Sequence, residues 1–184
     1  MKNLEWKSEL RDPNLARILC KHIGADLAAT LDQTDTYYNV AKGRLKRRET
    51  IAIDSSGSSK EDDQYIVYTR PDSITPKHSD YSLLTRAEFD ERFGSASIPE
   101  WIVVKKRREL YMFESVRIHI DDVKELGWYF EFEIVLDEGM DDEKADRYAK
   151  EIRATFAPAL GEPIRVSYCD LLAQQRLIER QKNS

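Results

Sequence analysis

The part of this chain that can do chemistry is a set of charged residues at alternate positions. Arg44, Lys46 and Arg48 would share one face of an extended strand, as would Lys105 and Arg107. Glu131 and Glu133 form a carboxylate pair with the same period. Glu5 and Lys7 share a face with Asn3, and Arg117, His119 and Asp121 make a mixed row. Taken as one surface, Lys7, Arg44, Lys46, Arg48, Arg70, Lys105, Arg107 and Arg117 face Glu5, Asp121, Glu131 and Glu133, in a chain whose formal net charge is −5. Cations packed this closely repel unless an anion or solvent screens them. An acidic protein with one concentrated basic face suits a small polyanion. Carboxylate pairs kept beside that face suit Mg²⁺ or Mn²⁺, which prefer oxygen ligands, together with phosphates. The plainer reading of any one row is a solvated strand face with cross-strand charge pairs. Five strands patterned together favour the metal and polyanion.

The elements that must position these rows follow from periodicity. Lys2 to Leu10 alternates and reads as a strand, with Leu4 and Trp6 on its apolar side. Asp12 before Pro13 reads as a helix N-cap, with an apolar stripe of Leu15, Ile18, Leu19, Ile23 and Leu27. Strands are expected over 34–40, 44–53 and 64–70, with Lys42-Gly43 as the first turn. The stretch 54–63 has no periodicity and is expected to be a disordered loop. Thr85 and Glu88 make a capping box for a short helix to about Phe93. Strands over 101–111, 113–121 and 128–136 precede a helix opened by Asp141 or Asp142. A short strand over 164–168 and a terminal helix from Asp170 to about Gln181 complete the pattern. With no linker or internal repeat, residues 1–184 read as one α+β domain with a large antiparallel sheet.

Composition narrows the function classes. The 184 residues are 41% hydrophobic and 34% charged, enough for a core under a polar exterior. A net charge of −5 argues against a general nucleic-acid surface. No apolar run reaches the roughly 20 residues a membrane span needs, so a cytoplasmic chain is expected. Cys20 and Cys169 are far apart and fit no thiolate metal motif. No Gly-rich phosphate loop, H-E-x-x-H or nucleophile elbow is present. His22 reads as a partly buried or surface residue, His78 as an exposed turn residue and His119 as a hydrogen-bonded structural residue. Trp6, Trp101 and Trp128 read as core, while Tyr37, Tyr38 and Tyr68 are either core or a stacking surface for a base.

At these same residues the chain resembles the CYTH domain, the triphosphate tunnel metalloenzyme family. Asn3-Leu4-Glu5-Trp6-Lys7 is similar to its N-terminal E-x-E-x-K signature. The likeness continues through Asp35-Thr36-Tyr37-Tyr38, Gly43 to Glu49, Tyr68 to Asp72, Ser79 to Ser82 and Val103 to Arg108. Val116 to Asp121, Glu131-Phe132-Glu133 and Ser167 to Leu172 complete it, in the family's order and closest to the branch of class IV adenylyl cyclases.

The resemblance implies an eight-stranded antiparallel β-barrel around a hydrophilic tunnel, with helices packed outside. It implies Glu5, Glu131 and Glu133 as ligands of one or two divalent metals (Mg²⁺ or Mn²⁺), with Asp121 helping. Lys46, Arg48, Arg70, Lys105, Arg107 and Arg117 would contact phosphates, and Lys7 would be a phosphate or catalytic lysine. Position 3 departs from the signature: Asn supplies a carbonyl oxygen without the charge of the family's Glu. The implied partner is a small triphosphate: ATP, inorganic triphosphate or thiamine triphosphate. A homodimer is left open. The expected activity is ATP conversion to cyclic AMP and pyrophosphate, with hydrolysis of an inorganic or organic triphosphate as the alternative. A non-catalytic binder of polyphosphate, nucleotide or RNA ends is the alternative of another class.

Overall fold

A computed structural model describes residues 2–94, 98–137 and 139–182. Its strands are β1 (Lys2–Leu10), β2 (Asp26–Tyr38), β3 (Arg44–Asp54), β4 (Gly57–Lys60), β5 (Gln64–Thr69), β6 (Lys77–Leu84), β7 (Glu100–Phe113), β8 (Val116–Val123), β9 (Gly127–Val135) and β10 (Leu160–Pro163). The α-helices are α1 (Pro13–His22), α2 (Arg86–Phe93), α3 (Asp142–Phe156) and α4 (Tyr168–Lys182). Eight strands run antiparallel in the order β1-β6-β5-β3-β2-β7-β8-β9, and β9 pairs back onto β1. The result is a closed barrel, the fold the resemblance implied. Closure matters chemically because alternate residues of every strand must then point inward. β4 lies outside this ring, folded against the end of β3, and β10 pairs with the end of β1.

The helices cover the outer face. Ala16 and Cys20 of α1, with Ala145, Ala149, Ile152 and Phe156 of α3, pack on Leu4, Trp6, Ile118, Ile120, Phe130, Phe132 and Ile134. Phe130 and Phe132 are fully buried there, and burying one such side chain contributes about 1.5–3 kcal/mol. α2, opened by its Thr85–Glu88 capping box, lays Phe89 on Leu45 and Tyr65. α4 behaves differently. Its first turns set Tyr168, Cys169 and Leu172 against Ile102, Val104, Val123 and Tyr129, which share strand faces with tunnel residues, so this helix closes one end of the barrel. Arg44 holds that plug through a 2.6 Å contact to Asp170.

Several local expectations are corrected. The segment expected to be disordered turns tightly: Asp54 Oδ1 accepts from the amides of Ser56 (2.7 Å) and Gly57 (3.1 Å), and β4 then pairs with β3. Leu27 belongs to β2 rather than to the helical stripe, because α1 ends at His22 and Gly24 takes a positive φ of 78°. The strand expected over 164–168 lies earlier, at Leu160–Pro163, and α4 starts at Tyr168. β6 was not expected from periodicity, since its KHSDYSLL shows no clean alternation; only the resemblance drew attention to Ser79–Ser82 within it. Trp101 is 47% exposed and so is not core.

Candidate functional site

The barrel encloses a cavity of about 340 Å³. Asn3, Glu5 and Lys7 of β1, Glu131 and Glu133 of β9, and Arg117 of β8 line one side. Lys46 and Arg48 of β3, Asp35 of β2, Arg70 after β5, and Lys106 and Arg108 of β7 line the other. Strand register puts the acids together: Glu5 lies opposite Glu133, Lys7 opposite Glu131, and Arg117 opposite Glu133. Ile66 and Leu83, paired across β5 and β6, add an apolar strip near the end away from the plug.

The basic wall is built around one carboxylate. Asp35 is 1% exposed and accepts from Arg48 Nε (2.7 Å) and Nη2 (2.8 Å), Lys46 Nζ (2.9 Å) and Lys106 Nζ (3.0 Å). Burial alone would raise its pKa, but the Arg48, Lys106 and Lys46 cations outweigh this and hold it well below the usual carboxylate range. Three cations on one anion leave the two lysines under-neutralised. Burial and the Arg48 charge push Lys46 down to about 8, with Asp35 opposing. Burial, Arg48 and Arg108 bring Lys106 to about 7, again against Asp35.

The acidic wall is paired in kind. Glu131 Oε2 meets Lys7 Nζ at 3.5 Å and Arg108 Nη2 at 3.2 Å, and those two cations keep its pKa well below normal despite burial. Glu5 pairs with Arg70, and Glu133 pairs with Arg117 at 3.6 Å. Lys7 also lies 3.9 Å from the Tyr168 ring centroid. Burial and Arg108 lower His119 to about 4, so its ring is neutral at physiological pH.

Two expected phosphate contacts are misplaced, and one expected metal ligand has another task. Lys105 and Arg107 point out of the barrel, while their neighbours Lys106 and Arg108 point in. The run Lys105–Arg108 is cationic throughout, so no apolar residue marks its inward face. Arg107 sits outside against Asp32, at 2.8 and 3.0 Å. Asp121 is fully buried behind the cavity wall. It accepts two 2.7 Å bonds from Arg108 and one of 2.8 Å from the Tyr168 hydroxyl, so it aims Arg108 and does not itself line the cavity. Glu5, Lys7, Lys46, Arg48, Arg70, Arg117, Glu131 and Glu133 all line the cavity. Sequence reasoning missed Lys106, Arg108 and the anchoring role of Asp35. The Gln33-x-Asp35-x-Tyr37 alternation was the available signal for Asp35.

The donor set fits a hard dication. Glu5, Glu131 and Glu133 offer carboxylate oxygens, and the Asn3 Oδ1 acceptor is buried without a hydrogen-bond partner.

The CYTH domain profile matches residues 1–161. The chain belongs to the CYTH domain family. No curated protein matches it in sequence. Among solved structures, protein PH1012 of Pyrococcus horikoshii superposes with a TM-score of 0.65 at 16% identity, over 92% of this chain and 98% of that one. A Vibrio parahaemolyticus protein provisionally assigned as an adenylate cyclase gives 0.66 at 16%, over 93% and 97%. A provisionally named adenylyl cyclase from Hippeastrum, described as having a dominant triphosphatase activity, gives 0.58 at 13%, over 95% and 96%. At these identities the likeness is one of fold. This CYTH chain also carries no helix among its described residues that is long and apolar enough to cross a membrane.

Two results are expected from this geometry. Arg107→Ala should leave the KM for a triphosphate within about twofold of wild type and stability within about 1 kcal/mol, as for any exposed pair; a tenfold rise in KM would return Arg107 to the site. The second concerns pH. Unfolded lysines stay protonated to about 10.5, whereas Lys46 and Lys106 lose their protons near 8 and 7 in the fold. Between those values the unfolded chain binds more protons, so the contribution of these two lysines to stability rises with pH. Their penalty is full below about pH 7 and is relieved through pH 8 and above. Losing those charges weakens anion binding. Denaturant midpoints should therefore rise from pH 6.5 to 8.5 while affinity for inorganic triphosphate falls. Parallel movement of the two would count against this pair of lysines.

Proposed function

We propose that the tunnel takes a triphosphate chain with a divalent cation and converts ATP to cyclic AMP and pyrophosphate, as in class IV adenylyl cyclases. The observation that carries this reading is a single cavity with a cationic wall of Lys46, Arg48, Arg70, Lys106 and Arg108 facing carboxylates Glu5, Glu131 and Glu133. A pure polyanion binder gains nothing from acids there, so this arrangement speaks against non-catalytic binding. The apolar strip of Ile66 and Leu83 supports a substrate with an organic group rather than bare inorganic triphosphate.

A bound Mg²⁺ or Mn²⁺, held by Glu5, Glu131 and Glu133, would supply Lewis-acid charge to phosphate oxygens. The residues of the chain do the rest. In the free protein each carboxylate already has a cation: Arg70 on Glu5, Lys7 and Arg108 on Glu131, and Arg117 on Glu133. Substrate lets the cations exchange a carboxylate for a phosphate oxygen, so the clamp is oriented before binding. Arg48, Lys46 and Lys106, steered by Asp35, spread the charge of the chain. Lys7, between the two walls, is suited to neutralise charge growing on the leaving oxygen. In the cyclase reaction the ribose 3′-oxygen attacks the α-phosphorus. The bond from that phosphorus to the α–β bridging oxygen breaks, pyrophosphate leaves, and the hydroxyl proton passes to water.

The second reading keeps the same clamp but has water attack the γ-phosphorus, giving a triphosphatase; the activity described for the Hippeastrum relative favours it. Incubation with ATP, and separately with inorganic triphosphate, in the presence of Mn²⁺ decides by product. Cyclic AMP with pyrophosphate supports the cyclase, and nucleoside diphosphate with phosphate supports the hydrolase. Tight binding without turnover overturns both.

A further inference from the structure

We propose that His119 supplies a ring nitrogen to the divalent ion, so that one imidazole joins the carboxylates of Glu5, Glu131 and Glu133 at the metal centre. This inference rests on the reading above, in which Glu131 and Glu133 hold a metal.

Strand pairing creates the cluster. His119 of β8 lies directly opposite Glu131 of β9, and the adjacent inward pair on the same two strands is Arg117 with Glu133. One His119 ring nitrogen and one oxygen from each of Glu131 and Glu133 all lie within 4.8 Å of one another. Ligands at about 2.1 Å from a common ion stand about 3 Å apart when adjacent, so modest side-chain rotations complete a shared coordination sphere.

The second observation comes from the ring itself. His119 is 3% exposed, yet its Nδ1 has no hydrogen-bond partner. Buried polar atoms are almost always paired, and one left unpaired calls for an unseen partner. A neutral imidazole carries one lone-pair nitrogen, which is a metal ligand in waiting when two carboxylates converge beside it. The Asn3 oxygen, which lines the cavity, is another buried acceptor without a partner, at the position where the family signature has a charged ligand. The nitrogen adds a second neutral donor beside the Asn3 oxygen, and the charge of the signature's carboxylate is not restored. Such a donor set favours ions that accept imidazole, Mn²⁺ and Co²⁺, over Mg²⁺, which keeps to oxygen and water.

The test reads the bond rather than turnover. Mn²⁺ is bound to the full-length protein without substrate, and its affinity is measured by electron paramagnetic resonance. Electron spin-echo envelope modulation then looks for nitrogen coupled to the bound ion. The expected results are a ¹⁴N coupling in wild type, its replacement by a ¹⁵N pattern when histidine alone is ¹⁵N-labelled, and its loss in His119→Gln. Mn²⁺ affinity in His119→Gln should fall at least tenfold, with a smaller loss for Mg²⁺. Labelling needs no substitution, so misfolding of the variant cannot rescue or sink the idea. A control His22→Gln/His78→Gln protein should keep the coupling. Mn²⁺ bound with no nitrogen coupling overturns the inference while leaving the carboxylate site standing. A coupling that survives in His119→Gln also overturns it. No Mn²⁺ binding at all, or Mn²⁺ affinity unchanged in Glu133→Gln, overturns the metal reading and the inference with it.

Discussion

Glu133→Gln is expected to lower kcat/KM for the triphosphate by roughly 10²- to 10³-fold while the protein keeps its fold. Losing one anionic ligand from a hard-cation site weakens both the hold on the ion and its charge stabilisation in the transition state, an effect of several kcal/mol. At about 1.4 kcal/mol per decade that is two to three decades in rate. Glu133 isolates this effect better than Glu131 does. Its side chain is 19% exposed and its cation, Arg117, is 40% exposed, so the arginine left behind is solvated. Glu131 is instead the buried partner of both Lys7 and Arg108, and removing it would mix lost chemistry with lost stability. Steady-state kinetics with a metal titration, beside a thermal melt, checks the claim. A wild-type rate at saturating metal would take Glu133 out of the metal site. A melting point lowered by more than a few degrees would make it structural.

Asp35→Ala should produce the largest loss of stability of any single change in the cavity wall. The carboxylate is fully enclosed and faces three cations, and removing one partner of a buried pair costs about 3–5 kcal/mol. For a chain of this length that is a drop of roughly 6–20 °C in Tm. The variant also carries a signature that a simple core defect lacks. Lys46, Arg48 and Lys106 would then line the cavity without their carboxylate partner, so an added triphosphate would replace the counter-charge they lose. Inorganic triphosphate should raise Tm by more in Asp35→Ala than in wild type. Equal shifts in the two proteins would mean that these cations do not meet the ligand.

The legibility of this site in the sequence tracked the cleanness of each strand's alternation. In β1 and β9 the charged positions Glu5, Lys7, Glu131 and Glu133 are interleaved with Leu4, Trp6, Phe130, Phe132 and Ile134. The apolar partners declare which face packs on helices, and the inward face follows. The Lys105–Arg108 run offers no such marker, and its inward pair is decided by pairing with Asp32 outside and Asp121 inside, partners distant in the chain. Asp121 is expected to help the metal on the resemblance, and no neighbour in its row of Arg117 and His119 argues otherwise. Only the contact with Arg108 reveals its part in aiming a cation. The barrel closure, the plug formed by α4 and the hub at Asp35 are likewise long-range facts that no local pattern encodes. The tight turn at Asp54 was local but hidden in a serine-rich stretch whose composition suggests disorder, where one side-chain oxygen capping two amides was enough to make β4 fold back.

The pairing of β1 has a consequence for how the molecule is made. β1 precedes every other strand of the barrel in sequence, yet its neighbours in the ring are β6, from Lys77 to Leu84, and β9, from Gly127 to Val135. Until β6, β9 and α3 have been made, Leu4 and Trp6 have neither the strands beside them nor the α3 residues that cover them. Closing such long loops is slow compared with forming neighbouring hairpins such as β8–β9. The strand that bears Glu5 and Lys7 is thus made before its barrel neighbours and is among the last of them to be locked in. Until then the chain carries an apolar edge open to mispairing with other copies. Glu5 and Lys7, which line the finished tunnel, put charge on that waiting edge, a feature that disfavours such mispairing.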